Sequence, residues 1–361
     1  MLKLIHAADL HLDSPFAGLS AEQAVLRRQE QRQLLDRLVD LANEEQVDLM
    51  LLSGDLLDSS RVYRETVDAL AQTLGRTRCR VFIAPGNHDP YTAASPYALP
   101  IWPDNVHIFT SPRPEGISIP ELNCTVYGAA FTDEQRQDDP LDGFFAQGEG
   151  IHLMVLHGNV QGRDYAPITP AHMAASGLDY LALGHIHQAG GLQKAGNTFW
   201  AYPGCPEGRG FDEVGDKGVL LAEVEPGRVT ARFCPLAPHR YEILTIDLTG
   251  CADPLAAVEV NLPAHTQQDS YRILLTGEFN TDANTLAQLE QALAPRFYSL
   301  ELQDRTRPPR DLWARAGEDT LTGLFLQTMA TQCQADPNNE VLQLAVRFGL
   351  AALEQGEDVS P

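Results

Sequence analysis

One pattern, repeated five times in the first two-thirds of the chain, limits what it can fold into. A short apolar run stops abruptly in ionisable residues. LKLIHAA leads into Asp9-Leu10-His11, VDLMLLS into Gly54-Asp55, and RVFIAP into Gly86-Asn87-His88-Asp89. IHLMVL leads into His157-Gly158-Asn159, and LDYLAL into Gly184-His185-Ile186-His187. Apolar runs this short, bounded by Gly or Pro, suit strands buried on both faces. Between the early runs, Leu34, Leu35, Leu38, Leu41 and Ala42 fall on one helical stripe, as do Tyr63, Val67, Leu70 and Leu74. Strands alternating with helices predict α/β architecture. Ligands gather at the carboxyl ends of the strands in such sheets, which is where all five polar clusters would lie.

Beyond about residue 195 the texture changes. NTFWAYPG, KGVLLAEVE and RVTARFCPL read as short strands between Gly-rich turns, and Leu236-Ala237-Pro238-His239 as a linker. YEILTIDL, SYRILLTGEF and FYSLELQ then alternate like strands, with the helical patterns DPLAAVEV and NTLAQLEQAL between them. The organisation expected is a core over 1–238, a small α+β domain over 239–312 and a C-terminal helical segment over 313–361. That segment carries two amphipathic patterns. One is Leu321, Leu324, Phe325, Thr328 and Met329. The other is Val341, Leu344, Ala345 and Phe348, after an Asp336-Pro337-Asn338 start signal.

Composition excludes several classes. With 26 Lys and Arg against 49 Asp and Glu, the formal charge of −23 rules out binding nucleic acid through bulk charge. Lysine occurs only at 3, 194 and 217, although Arg305, Arg307, Arg310 and Arg315 form a basic cluster suited to phosphate or an acidic partner, or simply to a solvated face. The 6 cysteines form no CxxC pair, as expected of reduced thiols in a cytoplasmic protein. No apolar run is long enough to span a membrane, and the opening MLKLIHAADLHL does not read as a signal peptide.

As donors, Asp9, His11, Asp55, Asn87, His157, His185 and His187 supply two carboxylates, an amide oxygen and four imidazoles. Such a set is too oxygen-poor for calcium and contains no thiolate. It suits Mn²⁺, Fe²⁺ or Zn²⁺. It also exceeds what one ion needs, so two ions are expected, with Asp55 the natural bridge. A centre with ions about 3.5–4 Å apart can hold a hydroxide nucleophile and clamp phosphate oxygens for in-line displacement. Asp58 and Asp89 are placed to hold ligand rings or backbone, and His88 to protonate a leaving oxygen. Taken singly, an Asp-x-His, a GDxxD or an His-x-His pair is an ordinary turn or a satisfied buried pair. The argument rests on five complementary clusters at five strand ends. His6, His107, His152, His172, His239 and His265 have no such company and are expected to be core or surface histidines.

These motifs, in this order, resemble those of the calcineurin-like metallophosphoesterases over about residues 1–235. The resemblance implies a sandwich of two mixed β-sheets flanked by helices and a dinuclear site. It implies that Asp9, His11 and His187 hold one ion, that Asn87, His157 and His185 hold the other, that Asp55 bridges, and that His88 is the transition-state histidine. KLIHAADLHLDSPFAGL and YPGCPEGRGFDEVGDKGV resemble the SbcD-like DNA-repair nucleases of the YhaO-type branch, with Cys205 where Ser is more usual. This second resemblance implies a manganese-dependent exonuclease or endonuclease with a capping domain, a dimeric state, and C-terminal helices over 318–353 that dock on an SbcC-like coiled-coil ATPase. Two alternatives stay open: a cyclic-nucleotide phosphodiesterase, and a mainly structural subunit with little activity of its own. A phosphoprotein phosphatase is disfavoured, because Ser59-Ser60 follow Asp58 and Asp89 follows His88 where those enzymes have GDxVDRG and GNHE.

Overall fold

The computed structural model describes residues 1–16, 21–59, 62–99, 101–160, 162–309, 311–336 and 339–355. The elements are β1 (Leu2–Ala7), α1 (Ala21–Glu44), β2 (Leu49–Leu52), α2 (Arg64–Leu74), β3 (Arg80–Ile83), β4 (Val106–Ile108), β5 (Glu115–Ile119) and β6 (Cys124–Gly128). They continue with β7 (Ile151–His157), α3 (Pro170–Ala175), β8 (Tyr180–Gly184), β9 (Gln193–Ala195), β10 (Thr198–Ala201), β11 (Gly218–Glu225) and β12 (Arg228–Pro235). Last come β13 (Tyr241–Asp247), α4 (Pro254–Asn261), β14 (Ser270–Thr276), α5 (Ala283–Leu293), β15 (Ser299–Asp304), α6 (Leu321–Ala335) and α7 (Glu340–Gln355).

Strand β2 shows why its run has no polar gaps. Successive side chains on a strand point to opposite faces, and both faces of this one are covered. Met50 and Leu52 pack with Leu35, Leu38, Val39 and Ala42 of α1 and with Val67, Leu70 and Leu74 of α2. Leu49 and Leu51 join Leu4, Phe82, Val126, Leu153, Val155, Tyr180 and Ala182 in the layer between two sheets. The first sheet has the order β12-β11-β1-β2-β3-β4 and the second β5-β6-β7-β8-β10-β9. Both are mixed: β1 to β4 run parallel while β11 and β12 are antiparallel, and β5 and β9 are the antiparallel strands of the second sheet. The outer face of the second sheet is closed by Met154, Leu156, Leu181 and Leu183 with Met173 of α3. This is the expected sandwich of two mixed sheets flanked by helices.

Register aligns the strand exits. Ala7 pairs with Leu52 and Leu52 with Ile83, so β1, β2 and β3 end level with one another. In the second sheet His157 pairs with Gly184, which brings the ends of β7 and β8 together.

The expected helical stripe of α1 is buried. Tyr63, by contrast, is the exposed N-cap of α2 rather than part of its apolar face. The short strands β4, β5, β6 and β9 carried no clear periodicity: they span only 3 to 5 residues, and β5 and β9 are in part exposed.

The chain divides into two units, the described residues of 1–243, 265–272 and 295–300, and those of 244–264, 273–294 and 301–361. Beyond β12 a three-stranded sheet has the order β13-β14-β15. Side-chain caps start its helices: Asp253 accepts from the Leu255 and Ala256 N–H groups at α4, and Asp282 from the Thr285 N–H at α5.

Helices α6 and α7 pair through Leu326, Met329, Val346 and Leu350. Of the two expected stripes, Met329 is buried in this contact and Phe325 packs against it. Leu321 and Leu324 are 70% and 60% exposed, and Val341 and Leu344 are 74% and 52% exposed. Pro337 and Asn338 of the start signal lie outside the described residues. Among the described residues no helix is long and apolar enough to cross a membrane.

Candidate metal centre

All five polar clusters leave the carboxyl ends of their strands. Beyond β1 and β2 the two segments stay paired, with Asp9 N–H donating to Gly54 O (3.0 Å) and His11 N–H to Asp55 O (2.9 Å). Asp9 (φ 55°), His11 (φ 46°), Asp55 (φ 50°) and His185 (φ 109°) all adopt positive φ. Side chains rarely occupy that region unless the surroundings impose it, and such strain concentrates at functional sites. Glycine is required at 184, where an added Cβ would lie 1.9 Å from Ser53 O and 3.0 Å from His157 Nδ1.

The donors form two overlapping groups. Asp9, His11 and His187 each bring a ligand atom within 4.8 Å of the others, and so do Asp9, Asp55 and His157. Asp55 Oδ2 lies 3.9 Å from His11 Nε2 and 3.4 Å from His157 Nε2, so this carboxylate stands between the groups. Asn87 Oδ1 lies 2.9 Å from His157 Nε2. The His185 ring sits beside His157, with centroids 5.3 Å apart, and its backbone N–H donates to both Asp9 oxygens at 3.1 Å. Among the described residues its ring nitrogens do not join either group of three.

Contacts orient the rings. His187 Nδ1–H donates to Glu213 Oε1 (2.6 Å), while His11 Nδ1 lies 3.2 Å from Asp58 Oδ1 without hydrogen-bond geometry. Their Nε2 atoms face each other at 3.2 Å, so both rings converge on one spot. Likewise His157 Nδ1–H donates to Ser53 O (2.9 Å), which leaves its Nε2 lone pair aimed at the acceptor Asn87 Oδ1. At His157 two acceptors thus face each other, an arrangement that a cation beside them relieves, and the donor set fits divalent ions.

Electrostatics agree. Burial pushes His11 and His157 down to about 4, and burial with the neighbouring His157 pushes His185 down to about 3. All three imidazoles are thus neutral and have a lone pair to offer near pH 7. Burial pushes Asp9 and Asp55 up, and Asp55 pushes Asp9 further. A bound cation reverses both costs. Burial also pushes the Cys205 thiol up to about 12, so it offers no thiolate.

Asp89 and Asp58 are both hydrogen-bonded. Asp89 Oδ1 accepts from Gly86 N–H (2.7 Å) and Asp55 N–H (3.2 Å). Its Oδ2 accepts from Leu56 N–H (2.7 Å), Leu57 N–H (3.1 Å) and the Tyr97 hydroxyl. Asp58 accepts from Ser14 Oγ (2.8 Å) and Arg209 Nη1 (3.1 Å). His88 is exposed, its N–H donates to Asp55 Oδ1 (2.9 Å), and its Nδ1 lies 3.0 Å from Asp58 O.

Sequence reasoning missed Glu213 and Arg209, which lie in the 202–219 segment, and Gln31, whose amide donates to His11 O (3.1 Å). None of the three stands at a strand exit, so nothing local marks them. The remaining histidines lie elsewhere. His6, for example, is buried with Nδ1 2.9 Å from the Tyr180 hydroxyl. Of the basic cluster, Arg305, Arg307 and Arg315 line a cavity of about 610 Å³ together with Arg347 and two acids, Glu278 and Asp311. Arg310 lies outside the described residues.

Comparison with known proteins points the same way. The family model described as calcineurin-like phosphoesterase matches residues 2–189. The chain is 34% identical over 263 residues to the uncharacterized metallophosphoesterase YhaO of Bacillus subtilis (strain 168), covering 69% of this chain and 64% of that protein. It is 25% identical over 274 residues to the D component of nuclease SbcCD from the same organism, covering 63% of this chain and 67% of that one. It is also 25% identical over 279 residues to the DNA double-strand break repair protein Mre11 of Methanopyrus kandleri, covering 69% and 60%. The matched region is thus less than two thirds of the length of YhaO and of Mre11.

Proposed function

We propose that this chain, which belongs to the calcineurin-like phosphoesterase family, is a two-metal phosphodiesterase that cleaves DNA as one subunit of an SbcCD-like nuclease. The observation that carries the two-metal reading is the place of Asp55 Oδ2 between two donor groups, 3.9 Å from His11 Nε2 and 3.4 Å from His157 Nε2. On this reading Asp9, His11 and His187 hold one ion, Asn87, His157 and His185 hold the other, and Asp55 touches both. Mixed imidazole and oxygen donors without thiolate put Mn²⁺ first, with Fe²⁺ and Zn²⁺ as the other ions such a set accepts. When bound, such ions lower the pKa of water and neutralise charge developing on the phosphoryl oxygens. The protein's own groups do the rest. Glu213 orients the His187 ring, Asp58 stands beside His11, and Asp89 holds the 54–57 and 86–89 turns against each other. His88, exposed and held at Nδ1 by Asp58 O, has Nε2 left over, and in its imidazolium form it would give the Nε2 proton to the departing oxygen and become neutral.

DNA as substrate is supported by two relatives whose names describe a nuclease component and a double-strand break repair protein. In so acidic a chain, backbone affinity would come from the bound cations and from a partner. An SbcC-like coiled-coil ATPase fits as that partner. The apolar residues Leu321, Leu324, Val341 and Leu344, left exposed on the α6–α7 pair, are the surface on which it would dock. In this arrangement residues 239–312 act as the capping domain and 313–361 as the docking segment.

The test is turnover by Mn²⁺-loaded protein, alone and with the ATPase, of a 5′-labelled oligonucleotide duplex against cyclic nucleotides. Cleavage of the DNA, abolished by His88→Ala with metal content unchanged, is the expected result. Hydrolysis of cyclic nucleotides without DNA cleavage, or no cleavage under either condition, would overturn the nuclease assignment.

A further inference from the structure

We propose that Glu213 and Arg209 are positioning residues that make the two halves of the centre unequal, so that the half built on His11 and His187 binds its ion more tightly than the half built on His157 and Asn87. This inference rests on the two-metal reading and asks what distinguishes its halves.

The difference lies behind the imidazoles. An imidazole that donates its far N–H to a carboxylate is a stronger metal ligand than one that donates to a neutral carbonyl. In the first half a carboxylate accepts from one imidazole and another carboxylate stands beside the second. His187 Nδ1–H donates to Glu213 Oε1 at 2.6 Å, and His11 Nδ1 lies 3.2 Å from Asp58 Oδ1 without hydrogen-bond geometry. In the second half, His157 donates only to the Ser53 carbonyl, at 2.9 Å. Their companions differ in the same sense, since Asp9 is a carboxylate and Asn87 a neutral amide.

Arg209 ties the first half together. Its Nη1 donates to Asp58 Oδ1 (3.1 Å), its Nη2 to Glu213 Oε1 (3.0 Å), and its backbone N–H to Glu213 Oε2 (2.8 Å). One planar guanidinium therefore spans the carboxylate that orients His187 and the one beside His11, and it offsets the cost of burying their charge side by side. The same segment fixes the His187 backbone, because Lys217 Nζ donates to His187 O (3.2 Å) and Cys205 N–H donates to it (3.2 Å). Residues 205–217 thus act as one clamp on His187. Nothing equivalent closes on His157 among the described residues, and its ring rests on the chain's own β2 exit.

The experiment is calorimetric titration of chelator-stripped full-length protein with Mn²⁺, read as binding stoichiometry and affinity rather than turnover. Thermal melting of the apo-protein serves as the folding control. The wild type is expected to take two ions in two resolved classes. Glu213→Gln keeps an acceptor for Nδ1–H but loses the charge, and Glu213→Ala loses both. The tight class is expected to weaken by about tenfold to a hundredfold, more for Ala than for Gln, with the weak class unchanged. Arg209→Lys keeps the charge but cannot span both carboxylates, so it weakens the same class. Two equal sites in the wild type, a fall in both classes alike, or no change in any variant would overturn this inference and leave the two-metal reading standing. Fewer than two ions in the wild type would sink that reading, and this inference with it.

Discussion

Replacing Asp89 by Asn perturbs the frame of the centre without removing a proposed ligand side chain. The side chain is fully buried, and its two oxygens accept from the N–H groups of Gly86, Asp55, Leu56 and Leu57 and from the Tyr97 hydroxyl. An amide has a single oxygen. Its best orientation keeps that oxygen at the Oδ2 position, where three donors converge, and turns the NH₂ towards the Gly86 and Asp55 N–H groups. Two buried donors are then left without an acceptor, at about 1–3 kcal/mol each. Burial and the Asp55 carboxylate push the Asp89 pKa up, opposed by the Tyr97 hydroxyl bond. Losing the charge therefore returns part of the cost, which puts the net destabilisation at about 2–4 kcal/mol. Domains of ordinary stability hold only about 5–15 kcal/mol, so the shift is large. The assay is urea denaturation of chelated protein, followed by circular dichroism and extrapolated linearly to water. A loss under about 1 kcal/mol would refute the claim that these five hydrogen bonds hold the 54–57 and 86–89 turns together.

Other consequences are sharp enough to measure. Gly184→Ala places a Cβ 1.9 Å from Ser53 O, the acceptor of the His157 Nδ1–H, so it should cost about 1–3 kcal/mol and lower Mn²⁺ affinity; unchanged melting and metal binding would contradict this. Leu51 is fully buried between the sheets, and Leu51→Ala should cost about 2–5 kcal/mol in the same denaturation assay; a loss below about 1 kcal/mol would mean the two sheets do not share that core. Burial pushes His6 down to about 3, so on acidification the unfolded chain takes up a proton near its ordinary value of 6.5 while the folded chain stays neutral. Stability therefore falls as the pH drops from about 6.5 towards about 3. His6→Gln should flatten that profile by about 1.4 kcal/mol per pH unit within the window, and identical slopes would show that His6 is not held neutral.

The sequence made the centre legible to the extent that its ligands sit at strand exits. Asp9, Asp55, Asn87, His157 and His185 each follow an apolar run within a few residues, and a sheet aligned by register must bring such exits to one edge. Glu213 and Arg209 were not legible, because the loop that holds them has no periodic pattern. Their partners lie far away along the chain, Arg209 reaching Asp58 across 151 residues. The stripes of α6 and α7 show a different limit. Periodicity identifies an apolar face but not what covers it. Here the two helices bury Leu326, Met329, Val346 and Leu350 and leave Leu321, Leu324, Val341 and Leu344 outside. Strands β4 and β9, of 3 residues each, are too short to show alternation at all.

The central claim is that side chains from five strand ends grip two cations around Asp55. It is tested most directly by anomalous diffraction at the manganese edge from crystals of the full chain grown with Mn²⁺. The account predicts two peaks about 3.5–4 Å apart, one bordered by Asp9, His11 and His187, the other by Asn87 and His157, with Asp55 reaching both. A single peak, or peaks out of reach of Asp55, would contradict it.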